Sequence, residues 1–250
     1  MTGRLFIIGL GPGDARLRTY EADAALKKAQ DIFGYSLYVD RIDARPEQTK
    51  HPSDNREELD RAREALLRVA KGKSVAIVSG GDAGVFAMAA AVFEAIENGP
   101  TSWRDLEIEV IPGVSAMHAA AARLGAPLGN DFCAISLSTN LKPWTLIEKR
   151  LQHAVEGDFV ITLYNPASIA RPDQIYQAFD LLRGLLPPDR VVCLAKNIGR
   201  DKEECIISTL SEIEIKQINM STLVLIGSSG TRVIPRSQTQ NWIYTSRGAK

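Results

Sequence analysis

The stretch that decides the fold is RLFIIGLGPGD, residues 4–14. Its first part, residues 5–8, is a continuous apolar run, which is typical of a buried strand. Three glycines and one proline follow within residues 9–13, so the strand is predicted to end in a tight loop. A helix is expected after the loop, because helical spacing appears at Tyr20, Ala24, Leu26 and Ala29. In α/β proteins, a glycine turn between a strand and a helix commonly binds a nucleotide-like ligand.

The chemistry of this first loop indicates what kind of ligand it accepts. Gly9 and Gly11 match the first two glycines of the G-x-G-x-x-G dinucleotide motif, but Asp14 stands in place of the third. Pro12 has no N–H to offer a phosphate, and a carboxylate at the loop would repel one. No G-K-[ST] sequence follows that could hold phosphates. The loop is therefore expected to bind a neutral or cationic group, and the alternative is a turn that only joins the strand to the helix.

Two further strands are predicted to end in glycine turns. Residues 74–79 run into GGDAG at 80–84, and residues 106–111 run into Pro-Gly at 112–113. At the second turn, the carboxylate of Asp82 suits ribose hydroxyls or an ammonium better than a phosphate. His118, on the helix expected after the third turn, is interpreted as a core residue and not as a ligand.

Composition and charge limit the class of protein. The 250 residues are 45% hydrophobic and 24% charged, as in ordinary globular proteins, and thirty basic residues balance thirty acidic ones. General attraction to nucleic acid or to an anionic membrane is therefore not indicated. Because no signal peptide or membrane-spanning apolar run is recognisable, a cytoplasmic location is expected. Three dispersed cysteines are expected to be buried thiols and not a disulfide framework.

The chain is predicted to form two α/β domains with a cleft between them. The segment GAPLGND, residues 125–131, interrupts both the helical and the strand periodicity of the sequence. It is predicted to divide the chain into an N-terminal domain, 1–124, and a C-terminal domain, 125–250. Residues 43–53 are polar and contain two prolines, so they are expected to form a loop. The last twenty residues, from Thr231, are expected to form either an edge hairpin or a loose tail.

Several kinds of chemistry lack a signal in the sequence. A metal site is not favoured, because His51, His118 and His153 lie in unrelated contexts and no cysteine or histidine pair has ligand spacing. The sequence VSGGD is not the G-x-S-x-G elbow of a serine hydrolase. The glycine turns and the scattered basic residues of the second half suit a small nucleoside with a positive centre beside an anionic partner.

Three segments resemble the motifs of the S-adenosylmethionine-dependent tetrapyrrole methyltransferases of cobalamin and sirohaem synthesis. They are GLGPGD at 9–14, GGDAGVF at 80–86 and IPGVSAMHAAAARLGAPL at 111–128. Other segments are similar to the branch that methylates ring carbon 17 of precorrin-3B and contracts the macrocycle to precorrin-4: FGYSLYVD at 33–40, NDFCAISLS at 130–138, KPWTLIEKRL at 142–151, YNPAS at 164–168 and YTSRG at 244–248. The similarity covers nearly the whole chain.

This resemblance implies a homodimeric enzyme that holds the methyl donor, S-adenosylmethionine, in the cleft and releases S-adenosylhomocysteine. The positions that it assigns to the donor in the first half are Pro12, Gly80, Gly81, Asp82, Val85, Phe86, Ser115 and Ala116. Those that it assigns in the second half are Tyr164, Asn165, Ala195, Asn197, Thr222 and Gly227.

The anionic tetrapyrrole is the expected partner of a second set of residues. Proton movement during ring contraction is assigned to Asp82, Tyr35, Tyr38, Ser138 and Asn140. Carboxylates of the macrocycle are expected to pair with Arg16, Arg18, Arg41, Lys142, Arg171 and Arg200. Asn130 and Thr139 depart from the family pattern, which has histidine and aspartate there, and both are placed on the substrate side.

Three alternatives remain open from the sequence. A nicotinamide-dependent oxidoreductase would use Asp31 to bind a ribose, since it lies at a suitable distance after Gly9. A non-catalytic tetrapyrrole-binding module would bind the macrocycle without the methyl donor. A sister precorrin methyltransferase, or one that acts on a cobalt-containing precorrin, would share the donor motifs.

Overall fold

A computed structural model describes residues 3–54, 57–168 and 170–248. The chain forms two compact units, residues 1–116 and 117–250, which we call the first and the second unit. The division lies eight residues before the junction predicted after residue 124, because most of the helix after the third glycine turn belongs to the second unit.

The first unit is built on a parallel five-stranded sheet. Its strands are β1 (Arg4–Gly9), β2 (Asp31–Tyr35), β3 (Thr49–Ser53), β4 (Ser74–Ser79) and β5 (Glu107–Ile111). The spatial order is β3-β2-β4-β1-β5, so β4, β1 and β5 lie side by side and run in the same direction. Their carboxyl ends therefore meet at one edge of the sheet, which brings the three glycine turns together.

Helices cover both faces of this sheet. They are α1 (Tyr20–Lys28), the short α2 (Ser36–Val39), α3 (Glu58–Ala70) and α4 (Met88–Glu97). Along β1, Leu5 packs with α3 and α4, whereas Phe6 packs with α1 on the opposite face. Full burial of each such side chain stabilises the fold by about 1.5–3 kcal/mol. A sheet buried on both faces explains why its central strands are continuous apolar runs.

Two local predictions for the first unit are wrong. Helix α1 buries Ala22, Ala25 and Leu26, whereas Tyr20 is 96% exposed and lies outside the buried stripe. Part of the expected loop 43–53 is the edge strand β3, which pairs in parallel with β2. An edge strand tolerates polar residues and a proline, so its sequence lacks the usual apolar pattern.

The second unit contains a mixed five-stranded sheet. Its strands are β7 (Phe132–Ser136), β8 (Val160–Tyr164), β9 (Val191–Lys196), β10 (Glu204–Thr209) and β11 (Thr222–Ile226), and its helices are α5 (Ala116–Leu124), α6 (Trp144–Glu156) and α7 (Gln174–Leu185). The order is β10-β9-β11-β8-β7, with β7 and β8 parallel and the other pairs antiparallel. The core between this sheet and α6 and α7 includes Ile147, Leu151, Phe179 and Leu182.

A second, three-stranded sheet also belongs to the second unit. It consists of β6 (Gly125–Ala126), β12 (Thr231–Ile234) and β13 (Trp242–Thr245), in the order β12-β13-β6. The antiparallel pairing of β12 with β13 confirms the hairpin and not the loose tail. The expected domain joint is therefore partly a strand, since β6 pairs with β13.

None of the helices in the described ranges is long and apolar enough to cross a membrane. Cys133, Cys193 and Cys205 are free thiols, and only Cys193 is fully buried. Burial raises the pKa of both Cys133 and Cys205 to about 11, so both remain protonated at neutral pH.

Candidate functional site

Gly11 and Gly81 join the first two glycine turns. The N–H of Gly11 donates to the Gly81 carbonyl at 3.0 Å, and the N–H of Gly81 donates to the Gly11 carbonyl at 2.8 Å. Both residues have φ of +72°, a left-handed conformation that glycine adopts readily and other residues adopt at a cost. These two positions therefore favour glycine for the shape of the turn.

The third turn packs directly against the other two. A Cβ atom added to Gly113 would lie 2.3 Å from the carbonyl oxygen of Gly81 and 2.7 Å from that of Gly9. A Cβ atom added to Gly9 would likewise lie 2.7 Å from the amide nitrogen of Gly113. The three turns thus meet backbone to backbone and form a surface, the triple-turn surface, at which a ligand can approach the main chain closely.

Asp82 fastens the second turn to the third. One carboxylate oxygen, Oδ2, accepts a hydrogen bond from the Gly113 N–H at 2.9 Å, and Oδ1 accepts one from the Gly84 N–H at 2.8 Å. Both carboxylate oxygens therefore accept a backbone N–H, one from each turn. Asp82 is therefore a structural link of the triple-turn surface, whatever its part in binding or catalysis.

Arg41 holds the first turn from the side of α2. Its Nη2 atom donates to the carbonyl oxygens of Leu10, Gly11 and Gly13 at 3.2, 3.1 and 2.9 Å. The sequence assigned Arg41 to a carboxylate of the substrate, whereas the structure directs this nitrogen to the loop. Backbone carbonyls give no signal in a sequence, so this role could not be predicted.

Asp14 and Arg16 form a local ion pair beside the first turn. The Nη2 atom of Arg16 lies 2.6 Å from Oδ2 of Asp14, and the Arg16 N–H donates to Oδ1 at 2.8 Å. Asp14 also caps the short 3₁₀ helix at Ala15–Leu17. The carboxylate that was expected to repel phosphate therefore has a cation next to it, which weakens that part of the prediction. Arg18 is likewise paired, with Asp23.

Aromatic side chains line the second turn. Tyr38 lies against Gly80, where an added Cβ would come within 2.6 Å of its ring. Tyr35 meets Tyr38 edge to face, with ring centroids 5.6 Å apart. Phe86 follows with φ of +52°, which is unusual for a bulky residue, and its side chain is 52% exposed.

Several predicted donor-binding residues of the first unit lie close together. Ser115 is buried, and its Cα atom lies 3.8 Å from the point that a Cβ atom on Gly81 would occupy; the Ala116 nitrogen lies 3.9 Å from the same point. Pro12 follows Gly11 in the first turn, and Val85 is half-buried beyond the second. The triple-turn surface and its borders thus contain all eight of the first-unit positions assigned to the donor.

In the second unit, most of the residues assigned to the donor lie at one edge of the five-stranded sheet. Tyr164 ends β8 and Asn165 follows it, and the Asn165 side chain donates to Ser136 Oγ at 3.0 Å. Asn197 follows β9 and donates its N–H to the Ser221 carbonyl, beside Thr222 at the start of β11. Ala195 is the penultimate residue of β9 and points into the fold, with 3% exposure.

Gly227 does not join that group. It follows the carboxyl end of β11, whereas Thr222 begins the strand. A Cβ atom on Gly227 would lie 2.7 Å from the side chain of Thr231. Gly227 is therefore needed for close packing against the C-terminal hairpin, a structural reason for glycine that the sequence did not indicate.

Those residues assigned to the substrate that belong to the second unit lie in separate places. Asn130 precedes β7 and Thr139 follows it, so the two departures from the family pattern lie at opposite ends of one strand. Asn130 Oδ1 accepts from the Asp131 N–H in a local turn. Ser138 and Asn140 lie near Thr139, where the Asn140 N–H meets Ser138 Oγ at 3.4 Å. Arg200 donates its backbone N–H to Asn197.

A basic cluster near Thr139 includes two residues that the sequence analysis missed. Gln174 donates to Thr139 Oγ1 at 2.7 Å and accepts from Arg171 Nη1 at 3.2 Å. Burial, together with the positive charges of Arg150 and Arg171, lowers the pKa of Lys142. Gln174 lies in none of the quoted motifs, and Arg150 lies within KPWTLIEKRL, from which only Lys142 was assigned to the substrate.

Asp31 is unsuited to the ribose-binding role of the oxidoreductase alternative. It is the first residue of β2, at the opposite end of the sheet from the glycine turns. Its buried carboxylate accepts from His51 Nε2 at 2.7 Å and from Arg68 Nη1 at 3.2 Å. Among the described residues, no group of three histidine, cysteine or acidic side chains could hold a metal ion.

Comparisons with known proteins agree on one family. The family model of tetrapyrrole (corrin/porphyrin) methylases matches residues 4–214. A precorrin-3B C(17)-methyltransferase from Sinorhizobium sp. is 52% identical over 247 residues, which cover 99% of this chain and 97% of that protein. A probable cobalt-factor III C(17)-methyltransferase from Salmonella typhimurium is 39% identical, over 92% of this chain and 94% of the relative. The crystal structure of the methyltransferase CobJ superposes with a TM-score of 0.92 at 45% identity, over 98% of this chain and 100% of that one.

Proposed function

Because the chain belongs to the tetrapyrrole (corrin/porphyrin) methylases, we propose that it transfers a methyl group from S-adenosylmethionine to ring carbon 17 of precorrin-3B. The macrocycle then contracts to precorrin-4, as a step of cobalamin synthesis. The observation that carries the proposal is the triple-turn surface, together with the 52% identity to a relative named for this reaction.

The triple-turn surface suits a sulfonium nucleoside better than a nucleotide. Its first turn contains Pro12, which has no N–H, and the carbonyl oxygens of Gly9 and Gly81 lie at the meeting point of the turns. Carbonyl oxygens are favourable partners for a cation, and they repel phosphate. We assign the donor contacts of the first unit to Pro12, Gly80, Gly81, Asp82, Val85, Phe86, Ser115 and Ala116.

The resemblance also assigns donor contacts to the second unit. We retain Tyr164, Asn165, Ala195, Asn197 and Thr222 as proposals, because they occupy one edge of its sheet. Gly227 is a weaker proposal, since its close contact with Thr231 already accounts for the glycine.

The chain's main contribution to methyl transfer is to position the reactants. The donor supplies an activated methyl group, whose bond to sulfur breaks as the bond to the ring carbon forms and S-adenosylhomocysteine leaves. Holding two reactants in line can supply up to about 7–11 kcal/mol of the barrier. The fixed backbone of the three turns provides such a rigid platform.

Ring contraction requires proton movement as well as alkylation. Tyr35, Tyr38, Ser138 and Asn140 are the proposed participants, because each carries a group that can donate and accept hydrogen bonds. Asp82 suits positioning better than proton transfer, since both of its oxygens already accept amide N–H groups. We propose that Lys142, Arg171 and Thr139 contact the anionic macrocycle, with the help of Arg150 and Gln174.

A second candidate function is methylation of a cobalt-containing macrocycle at the same carbon. It is favoured by the relative named for cobalt-factor III, which is 39% identical. The sulfonium donor and the triple-turn surface would serve either substrate, so the difference must be tested with both macrocycles. We also propose, from the resemblance, a homodimer that works in the cytoplasm.

The decisive experiment uses the purified protein with precorrin-3B, cobalt-factor III and ¹³C-methyl-labelled donor. We expect one labelled methyl per product, located on carbon 17 by carbon NMR, and a contracted macrocycle by mass spectrometry. A label on another carbon would identify a sister enzyme, and faster labelling of the cobalt compound would favour the second candidate. Macrocycle binding without any labelled product would instead indicate a non-catalytic carrier.

A further inference from the structure

The outer side of strand β5 is a free edge of the first sheet. In the order β3-β2-β4-β1-β5, β5 pairs with β1 on one side and borders no other strand of the described residues. Ile108 packs against the core beneath α3 and α4, and Val110, two residues further along the strand, points to the same face. Val110 is nevertheless 42% exposed. A free strand edge with apolar side chains favours contact with another chain unless something covers it.

A shallow depression of about 490 Å³ lies next to this edge. It is lined by residues of α4, among them Ala90, Phe93 and Ile96, and by Arg104, which belongs to a 3₁₀ helix at Thr101–Asp105. Because this 3₁₀ helix leads directly into β5, the depression lies between the outer surface of α4 and the start of the edge strand. Phe93 is 50% exposed in it. Exposed aromatic side chains within an apolar patch are typical of protein–protein contacts.

The depression also carries charges of both signs. Glu94 and Glu97 line it together with Arg104. Within the described ranges, none of these three side chains forms an ion pair. A surface of one sign would select a partner of the opposite charge. A surface that carries both signs is instead complementary to itself, because a twofold rotation can bring the guanidinium of one copy to the carboxylates of another.

We propose that two copies of the chain meet at this surface, which consists of the depression and the outer side of β5 and which we call the β5 edge surface. Phe93 packs close to the twofold axis, and Arg104 pairs with Glu97 of the partner subunit. A stable interface buries about 800 Å² on each partner, so the contact is expected to extend from the depression over Val110. The inference rests on the homodimer that forms part of the proposed function, and it assigns a contact surface that the resemblance did not.

The charges around other exposed apolar side chains of the first unit are less available. Leu67 on α3 is as exposed as Phe93, but its neighbours Arg63 and Arg68 pair with acidic residues of the same chain. A nucleic acid or an anionic membrane would require a basic tract, whereas the carboxylates at the β5 edge surface outnumber its arginine. A second copy therefore fits the chemistry of this surface better than either polymer or lipid.

The first test compares Phe93→Asp with Leu67→Asp, because both side chains are 50% exposed in the wild type. Sedimentation equilibrium of the purified chain measures the dissociation constant of the dimer. We expect the wild type to sediment at twice the chain mass of 27.3 kDa. Phe93→Asp should raise the dissociation constant by about 30-fold or more, as is usual when a central aromatic contact is lost. Leu67→Asp should leave it unchanged, and circular dichroism checks that both variants fold.

A charge exchange tests the pairing independently of Phe93. Arg104→Glu should raise the dissociation constant by about tenfold, and adding Glu97→Arg should recover most of this loss, because the pair is rebuilt in the opposite sense. The effect should shrink at high salt, where exposed charges are screened. Arg63→Glu, on the exposed face of α3, is the control for charge reversal. A double variant that dimerises no better than Arg104→Glu would overturn the twofold arrangement.

The outcomes separate this inference from the proposed function. If the wild type is a dimer and neither Phe93→Asp nor Arg104→Glu changes its dissociation constant, another surface forms the dimer and the β5 edge surface is wrong. If the wild type remains a monomer, the homodimer and this surface both fail, while the labelling assay with precorrin-3B still decides the reaction. If the dimer responds as expected but no methyl group is transferred, the surface stands and the catalytic proposal fails.

Discussion

Arg41 and Gly13 are joined by a hydrogen bond of 2.9 Å, in which Nη2 of the guanidinium donates to the carbonyl oxygen. The same nitrogen also reaches the carbonyl oxygens of Leu10 and Gly11. Three carbonyl groups of one loop therefore converge on one cation. The first turn keeps its shape through a side chain that lies 28 residues further along the chain, and this relationship makes Arg41 a positioning residue for the proposed donor site.

Replacement of Arg41 should weaken donor binding more than macrocycle binding. Loss of hydrogen bonds from a charged group costs about 1.5–3 kcal/mol, so Arg41→Met is expected to reduce the affinity for S-adenosylhomocysteine by about 10- to 100-fold. Arg41→Lys should recover part of this loss, because an ammonium can reach some of the carbonyls but lacks the planar fork. Isothermal calorimetry measures the effect, and Arg63→Met is the control. An unchanged donor affinity with a raised KM for the macrocycle would favour the original substrate-carboxylate prediction.

Gly113→Ala should disrupt the triple-turn surface, whereas Gly184→Ala should not. A Cβ atom on Gly113 would lie 2.3 Å from the Gly81 carbonyl, while one on Gly184 meets nothing within 4 Å. Overpacking typically costs about 1–3 kcal/mol, and here the clashing atoms are backbone, which cannot rotate away. Gly184 lies inside α7, where alanine is favoured by about 1 kcal/mol. Urea unfolding compares the free energies of unfolding, and equal stability of the two variants would contradict the packing argument.

The sequence predicted the parts of this fold that bury apolar runs. The strand at 74–79 has the predicted limits, because both faces of β4 are covered. Strand β3 was missed, since an edge strand needs no apolar pattern. Tyr20 was assigned to the apolar face of α1 because of its helical spacing, but its side chain is exposed. The family motifs likewise identified the glycine turns. They could not predict the contacts of Arg41 or Gln174, whose partners are backbone carbonyls or single polar side chains distant in sequence.

Phe86→Gly should separate stability from function. Phe86 has φ of +52°, and such a conformation costs a bulky residue about 1–3 kcal/mol, which glycine avoids. Since the side chain is 52% exposed, its loss removes less apolar burial than that of a core residue. We expect an unchanged or higher melting temperature together with a weaker affinity for S-adenosylhomocysteine. A variant that melts lower and binds the donor normally would show that Phe86 serves packing alone.

Asp82→Asn should distinguish positioning from proton transfer. Both carboxylate oxygens accept amide N–H groups, and an asparagine side chain can replace only one of these acceptors. If Asp82 positions the second and third turns, the substitution should raise the KM for the donor by about tenfold, in proportion to one lost hydrogen bond. The turnover number should then fall little, and its pH profile should keep its shape. Asp60→Asn on the exposed face of α3 is the matched control. A loss of turnover by about 10²-fold or more, with an unchanged KM for the donor, would instead assign Asp82 to the proton-transfer step.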